Sequence, residues 1–254
     1  RTGTPAVVLF EANGEIARDR HGNILTTASL PVTLYEETGL VGNILRWAAG
    51  TWFGVSTMRD EVERELIRYL DLIELNQGKF NLDPNMNFVH FAHSGNFQPF
   101  IQALEHMPDE YRSKVKTLVA YGAPYVGDGV INDPFLETLV RVRGTKDGVP
   151  FEGVRQFQIT DQNGNVKAIP NQYNIEIIGA AHNDFSYDPS FTYSSAEERE
   201  IARKTSLFMR DLNLIANDEI ALKRFLSTQT VGIVIEGKVI KVDPKAYISP
   251  NGDR

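Results

Sequence analysis

Ser94 is the residue best placed for covalent chemistry. It closes the apolar run Phe88-Val89-His90-Phe91-Ala92-His93 and is followed by Gly95-Asn96-Phe97, a pattern that reads as strand, sharp turn and then helix from near Gly95. A turn of this kind pushes a hydroxyl out of the backbone and aims the positive end of the following helix at whatever bonds there. A serine hydroxyl is a weak nucleophile near neutral pH, so it needs a base to take its proton as it attacks. Histidine is the side chain suited to that work, and the chain has five: His21, His90, His93, His106 and His182. His90 and His93 share the strand and turn with Ser94, which fixes them beside or beneath it. His106 lies at the far end of the next helix and His21 in an early turn. His182 follows the strand-like run Asn174 to Ile178 and the small residues Gly179-Ala180-Ala181. That places it at the C-terminal end of a strand, the same edge of a parallel sheet from which Ser94 emerges.

A histidine base needs a carboxylate to hold its tautomer and stabilise its charged form. Asp161, directly after the strand-like Val154 to Thr160, is the acid expected there, with Asp128 and Asp133 in reserve; Asp184 is too close to His182 in sequence to be a first choice. Each of these residues also has a plainer reading. Serine at a strand end is commonly a turn residue or a helix cap, and Asp161-Gln162-Asn163-Gly164-Asn165 makes an attractive turn on its own terms. Their chain order, Ser94, Asp161, His182, is what raises the set above three separate turn residues.

The elements that must position these residues alternate. Pro5 to Phe10 reads as a buried strand closed by Asn13-Gly14, and Met58, Val62, Leu66, Tyr69, Leu70 and Ile73 recur at helical spacing up to a stop near Gly78. The helix after Ser94 runs to Pro108, with Pro99 tolerated in its first turns. Lys114 to Tyr121 is a strand, a short helix is expected over Asp133 to Val142, and strands follow at Val154 to Thr160 and Asn174 to Ile178. Ser195-Ala196-Glu197-Glu198 has capping-box spacing and opens another helix. This order predicts an α/β fold, a mainly parallel sheet with helices on both faces. Thr230 to Val242 predicts a β-hairpin about Glu236-Gly237, dividing the chain into residues 1–228 and a tail, 229–254, that either adds antiparallel strands to the sheet or starts a connection to a further domain. The segment Leu40 to Val55 holds both tryptophans and one charge, Arg46; it reads as a buried helix or packed loop, with an apolar lid as the alternative.

Composition narrows the chemistry. The chain of 254 residues has no cysteine, which excludes disulfides, thiolate metal sites and a cysteine nucleophile. A net charge of -7 with no basic cluster argues against nucleic acid as a partner, and no apolar run is long enough for a transmembrane segment. The first residue, Arg1, has no charged-then-apolar leader before it, so a processed product or a piece of a longer chain is expected.

The chain resembles the α/β-hydrolase family, particularly its lipase-like and esterase-like members, over roughly Pro5 to Leu212. Ala92-His93-Ser94-Gly95-Asn96 stands where the family has G-x-S-x-G, with alanine first and Asn96 in place of the final glycine. Leu118 to Gly127 looks like the family's strand and G-x-P-x-x-G turn after the nucleophile helix, and Gly179-Ala180-Ala181-His182 like its last strand and histidine. The resemblance implies a catalytic triad of Ser94, Asp161 and His182, with no metal and no organic cofactor. The oxyanion hole would take a backbone N–H from Gly95 and another from an early loop, for which Asn13 is the nominee, although Glu11 and Glu15 put negative charge there. The implied activity is a serine hydrolase acting on small-molecule carboxylic esters or lipids through an acyl-serine. The alternative is an inactive module of that fold in a larger surface protein. Ser249-Pro250-Asn251-Gly252-Asp253 resembles the opening of immunoglobulin-like modules of bacterial surface proteins, which implies an extracellular or cell-surface setting.

Overall fold

The chain folds as α1 (Arg59–Phe80), β1 (Phe88–His93), a 3-10 turn (Ser94–Asn96), α2 (Phe97–His106), α3 (Asp109–Arg112), β2 (Val115–Tyr121), β3 (Val130–Ile131), β4 (Thr138–Gly144), β5 (Gln158–Thr160), β6 (Val166–Ala168), β7 (Asn171–Ile177), a second 3-10 turn (His182–Phe185), α4 (Ala196–Ile215), α5 (Glu219–Gln229), β8 (Thr230–Val234), β9 (Val239–Val242) and a last 3-10 turn (Pro244–Ala246). This computed structural model describes residues 6–19, 22–27, 59–80, 87–124, 128–148, 156–234 and 239–249. The segment 40–55 and its lid alternative, His21 and the end of the G-x-P-x-x-G turn lie outside them.

Alternation along the strands builds one central sheet, ordered β1-β2-β4-β7-β9-β8. The first five are parallel in succession, and β8 runs antiparallel to β9. Leu118, Ala120 and Leu139 point into a core shared with Val62, Leu66 and Leu70 of α1 and Phe97, Phe100 and Leu104 of α2. On the opposite face Val119, Val140, Val142, Ile175 and Ile177 meet Ile201, Phe208 and Leu212 of α4 and Leu222 and Phe225 of α5. Strands buried on both faces favour apolar sequence on both sides; β2 comes nearest to this with Leu118-Val119-Ala120, while β4 and β7 interleave polar residues. α4 starts where the capping box was expected, with Ser195 Oγ accepting from the Glu198 N–H at 3.1 Å.

Two expectations are corrected. The helix expected over Asp133 to Val142 is instead β4. Leu136, Leu139 and Val140 do fall at helical spacing, but Val140 and Val142 alternate with Arg141 and Arg143, and β-branched alternation on a two-sided sheet wins. Of the strand expected over 154–160, residues 158–160 form β5, which belongs to a separate sheet ordered β3-β5-β6, while 154 and 155 lie outside the described residues. Near the N-terminus the expected buried strand is one arm of a small meander linked by Val8↔Thr26, Phe10↔Ile16 and Arg18↔Ile24. Leu9, Ala17 and Leu25 pack on Tyr69, Leu72 and Ile73 of α1, and Asn76 brackets Phe10, donating to its carbonyl at 2.9 Å and accepting from its N–H at 3.2 Å.

Three turns share one design that the sequence pattern of an acid followed three residues later by glycine repeats. In Glu11–Glu15, Asp19–Asn23 and Asp161–Asn165 the first N–H donates to the fifth carbonyl and the glycine N–H donates to the first carbonyl. The glycines Gly14, Gly22 and Gly164 take φ of 86°, 84° and 80°, which only glycine adopts without strain.

The loops after β4 and β7 are joined by backbone. Thr145 N–H donates to the Ile177 carbonyl at 3.0 Å and Lys146 N–H to the Ala180 carbonyl at 2.9 Å, while Thr145 Oγ1 accepts from Gly179 N–H at 2.8 Å. Gly144 makes this approach possible, because a Cβ there would stand 2.0 Å from the Ala180 oxygen. Gly144→Ala is expected to lower unfolding free energy by about 3 kcal/mol, the upper part of the range for overpacked sites, measured by urea denaturation; an unchanged midpoint would contradict the contact.

Candidate active site

Ser94 has φ of 55°, and among the described residues it is the only non-glycine residue with positive φ. His93 before it is still extended, at φ -104° and ψ 137°, and Asn96 after it is already right-handed, at φ -79° and ψ -15°. The reversal is therefore concentrated on Ser94, at a cost of about 1–2 kcal/mol for an L-residue in this region. It ends the strand and turns the hydroxyl out of the chain path. Gly95 follows directly, so its N–H opens the 3-10 turn that leads into α2.

His182 comes to meet the hydroxyl. Ser94 Oγ donates to His182 Nε2 at 2.9 Å, and His182 Nδ1–H donates to Asp147, 3.0 Å from Oδ1 and 3.2 Å from Oδ2. The carboxylate fixes the tautomer: it accepts only, so the proton sits on Nδ1 and Nε2 is left to take one. The Asp147 side chain is 2 % exposed and His182 24 %, so the carboxylate is sealed while the imidazole is partly open to the surface.

Gly122, at the end of β2, leaves room for this pair. Its φ is 56°, and a Cβ would lie 2.9 Å from His182 Nδ1 and 3.0 Å from Asp147 Oδ2. The first glycine of the G-x-P turn thus lies against the histidine and its acid.

Ser94 and His182 are thus brought together, and the acid that joins them is Asp147 in place of Asp161. Asp161 turns back into its own hairpin, accepting from Asn163 N–H at 2.8 Å and Asn165 N–H at 2.9 Å. The backbone hydrogen bond from Asn165 is the main cause holding its carboxyl below the usual range. It occupies the same turn position as Glu11 and Asp19. Asp147 was missed because it follows β4, which reads locally as helix; taken as a strand, Thr138 to Gly144 puts the acid three residues beyond its end. The reserve acids are engaged elsewhere. Asp128 accepts from Val130 N–H at 2.9 Å, and Asp133, 0 % exposed, accepts from Phe135 N–H at 2.9 Å through Oδ1. Asp133 Oδ2 is buried without a hydrogen-bond partner, and burial pushes its carboxyl up to about 6.

Asn13 does not join the site either. It accepts from Glu15 N–H at 3.0 Å and donates to the Glu15 carboxylate at 3.1 Å, in a meander held to α1 by Glu11 and Arg68 at 2.7 Å. Its turn supplies the meander's reversal. Of the two nominated oxyanion donors, only Gly95 adjoins Ser94. Asn96 needs no glycine-like freedom in its right-handed conformation, and its Oδ1 is buried without a hydrogen-bond partner.

The remaining described histidines surround or leave the site. His93 lies beneath His182, with Nε2 donating to the His182 carbonyl at 3.2 Å. His90 stacks on Phe100 of α2, and His106 pairs with Glu63 of α1 at 2.7 Å. Among the described residues no group of three or more histidine, aspartate or glutamate side chains is arranged to hold a metal ion, and no helix is long and apolar enough to cross a membrane. Comparison of the chain with protein-family models, curated proteins and solved structures finds no match.

Two measurements check these assignments without requiring turnover. The His182 Nδ1 proton should appear far downfield in the proton NMR spectrum, persist in Asp161→Asn and move upfield by more than 1 ppm in Asp147→Asn, on the order of the change expected on replacing a charged acceptor by a neutral one. Retention of the signal in Asp147→Asn would rule out the Asp147 contact. For Asp133 the sign follows from a folded value of about 6 above the ordinary 3.8. Between those limits the unfolded state releases its proton first, so rising pH removes stability. Asp133→Asn should match the parent near pH 4 and exceed it by about 2–3 kcal/mol at pH 7, read from urea midpoints across that range.

Proposed function

We propose that this chain is a serine hydrolase of α/β-hydrolase type that cleaves carboxylic esters, lipid esters included, through an acyl-Ser94 intermediate. The observation that carries the reading is the connected row Ser94, His182, Asp147, with Ser94 held at positive φ on a strand-to-helix turn. The three come from the ends of β1, β7 and β4, and the neighbouring sheet order β1-β2-β4-β7 puts all those ends on one edge. Open α/β sheets assemble their sites at the C-terminal ends of their strands.

Each group has one task. His182 Nε2 takes the hydroxyl proton as Ser94 Oγ adds to the ester carbonyl, then returns it to the leaving alkoxide as the C–O bond breaks. Water then attacks the acyl-enzyme with the same histidine as base, releasing the acid and restoring Ser94. Asp147 keeps the proton on Nδ1 and stabilises the imidazolium between the two transfers. The Gly95 N–H, at the start of the helical segment, stabilises the oxyanion as it forms.

Two features of the sequence favour the inactive module: Asn96 in place of the final glycine of the elbow, and the negative charge of Glu11 and Glu15 beside an early oxyanion loop. Asn96 adopts an ordinary right-handed conformation, and Glu11 and Glu15 belong to the meander on α1, Glu11 bound to Arg68. Neither feature acts on Ser94, so the hydrolase reading is the stronger.

A fluorophosphonate probe should label the parent chain and leave Ser94→Ala unlabelled. Asp147→Asn should react about a thousandfold more slowly or worse, and Asp161→Asn within about twofold of the parent, as for a surface substitution remote from the site. A parent that stays unlabelled, or equal labelling of Ser94→Ala, would end the proposal.

A further inference from the structure

His93 takes no proton in this scheme, yet its ring packs directly against that of the base. It stacks with His182 at 4.8 Å between ring centres and 27° between planes, and with Tyr121 of β2 at 5.0 Å and 15°. Phe185, on the 3-10 turn that His182 begins, meets it edge-on at 6.2 Å. Its Nε2 stands 3.2 Å from the His182 backbone carbonyl. A carbonyl only accepts, so His93 must carry its proton on Nε2.

We infer that His93 is a positioning residue for the general base: its Nε2–H anchors the His182 backbone while its ring forms the surface on which the His182 imidazole rests. This rests on the hydrolase reading above. The anchor holds the carbonyl next to the Cα that bears the imidazole, so it sets both the height of the ring and the direction of Nε2 towards Ser94. Positioning of this precision changes the reaction step more than the binding of a small ester.

The role also requires a neutral ring. The titratable groups facing His93 are His182 from the loop after β7, Asp147 from the loop after β4 and Tyr121 from β2. Burial, followed by the charge of His182, holds His93 below the ordinary histidine range against the smaller opposing effects of the His182 carbonyl and Asp147. Tyr121 is pushed up by burial and stays neutral. The imidazolium that forms on His182 therefore lies over an uncharged ring, with Asp147 as its only charged neighbour among these groups.

The test compares the full chain with His93→Phe, which keeps an aromatic surface and loses the donor, and His93→Gln, whose amide N–H can reach the same carbonyl. The readouts are fluorophosphonate labelling and hydrolysis of p-nitrophenyl acetate. His93→Phe should lower the labelling rate and kcat about tenfold, the scale of one lost hydrogen bond, with KM within about twofold, and His93→Gln should recover most of the loss. Equal rates in His93→Phe and parent, or no recovery in a folded His93→Gln, would overturn the inference while leaving the hydrolase reading intact. Nitrogen-15 NMR of the parent at pH 6 should show His93 neutral with the proton on Nε2; a charged ring or the Nδ1–H tautomer would overturn it whatever the rates. A parent that neither labels nor turns over ester would remove the base itself, and the inference would fall as a failure of the function proposed above.

Discussion

Gly144 packs against the Ala180 carbonyl with no space between them for a side chain, and the geometry of the site depends on that contact. β1 and β7 are three strand spacings apart in the sheet, roughly 14 Å at the usual separation. Ser94 and His182 nevertheless share a hydrogen bond of 2.9 Å. The loop after β7 must therefore double back across the ends of β4 and β2. It crosses β4 where Gly144 has no Cβ, fastened by Lys146 N–H to the Ala180 carbonyl, and the histidine ring then lies over Gly122 at the end of β2. Two strand ends without side chains form a trough, and the His182 ring reaches the Ser94 hydroxyl by lying in it.

The same crossing recruits the acid. Once Lys146 is tied to Ala180, Asp147 is one residue beyond the joint on one side and His182 two residues beyond it on the other. Its carboxylate lies almost completely buried at the Nδ1 edge of the imidazole. A buried anion without partners would be costly, so the hydrogen bond to His182 Nδ1 orients the ring and compensates the acid together. Strain at Ser94 is held by the structure on either side: β1 is paired residue by residue with β2 from Val89↔Thr117 to His93↔Tyr121, and α2 is anchored by fully buried Phe97, Phe100 and Ile101. A rigid strand and a rigid helix leave the intervening serine little choice of φ.

What the sequence disclosed followed from how local each signal is. Strand, serine, glycine and helix are contiguous, so Ser94 was legible, and small residues before His182 marked a strand end with close packing. The mainly parallel α/β arrangement was legible from alternation of elements. The acid was not, because its identity depends on which strand lies beside β2, a long-range fact. Thr138 to Gly144 carries both a helical triplet, Leu136, Leu139 and Val140, and a strand alternation, and only tertiary packing chooses between them. Asp161 looked suitable because a strand precedes it, but that strand pairs in the smaller sheet. Its glycine three residues later, shared with the turns at Glu11 and Asp19, was the local sign of a hairpin, and the same sign identified Asn13 as a turn residue.

Support for the histidine loop continues to the last described residues. Gly179 packs against Ile201 of α4, where a Cβ would lie 3.1 Å from the isoleucine Cδ1, and Phe185 shares the core of that face with Phe208 and Met209. α4 is in turn gripped by the segment after β9. Tyr247, 1 % exposed, donates its hydroxyl to Asp211 Oδ2 at 2.6 Å, and Lys204 Nζ donates to the Tyr247 carbonyl at 2.9 Å. Ser249 adds a second hydroxyl to the same carboxylate oxygen. Buried polar groups that satisfy one another fix a single packing of the elements that carry them. Here they fix α4, which backs the loop, which carries His182 across the trough to Ser94. The described part of the tail is therefore mechanically continuous with the site.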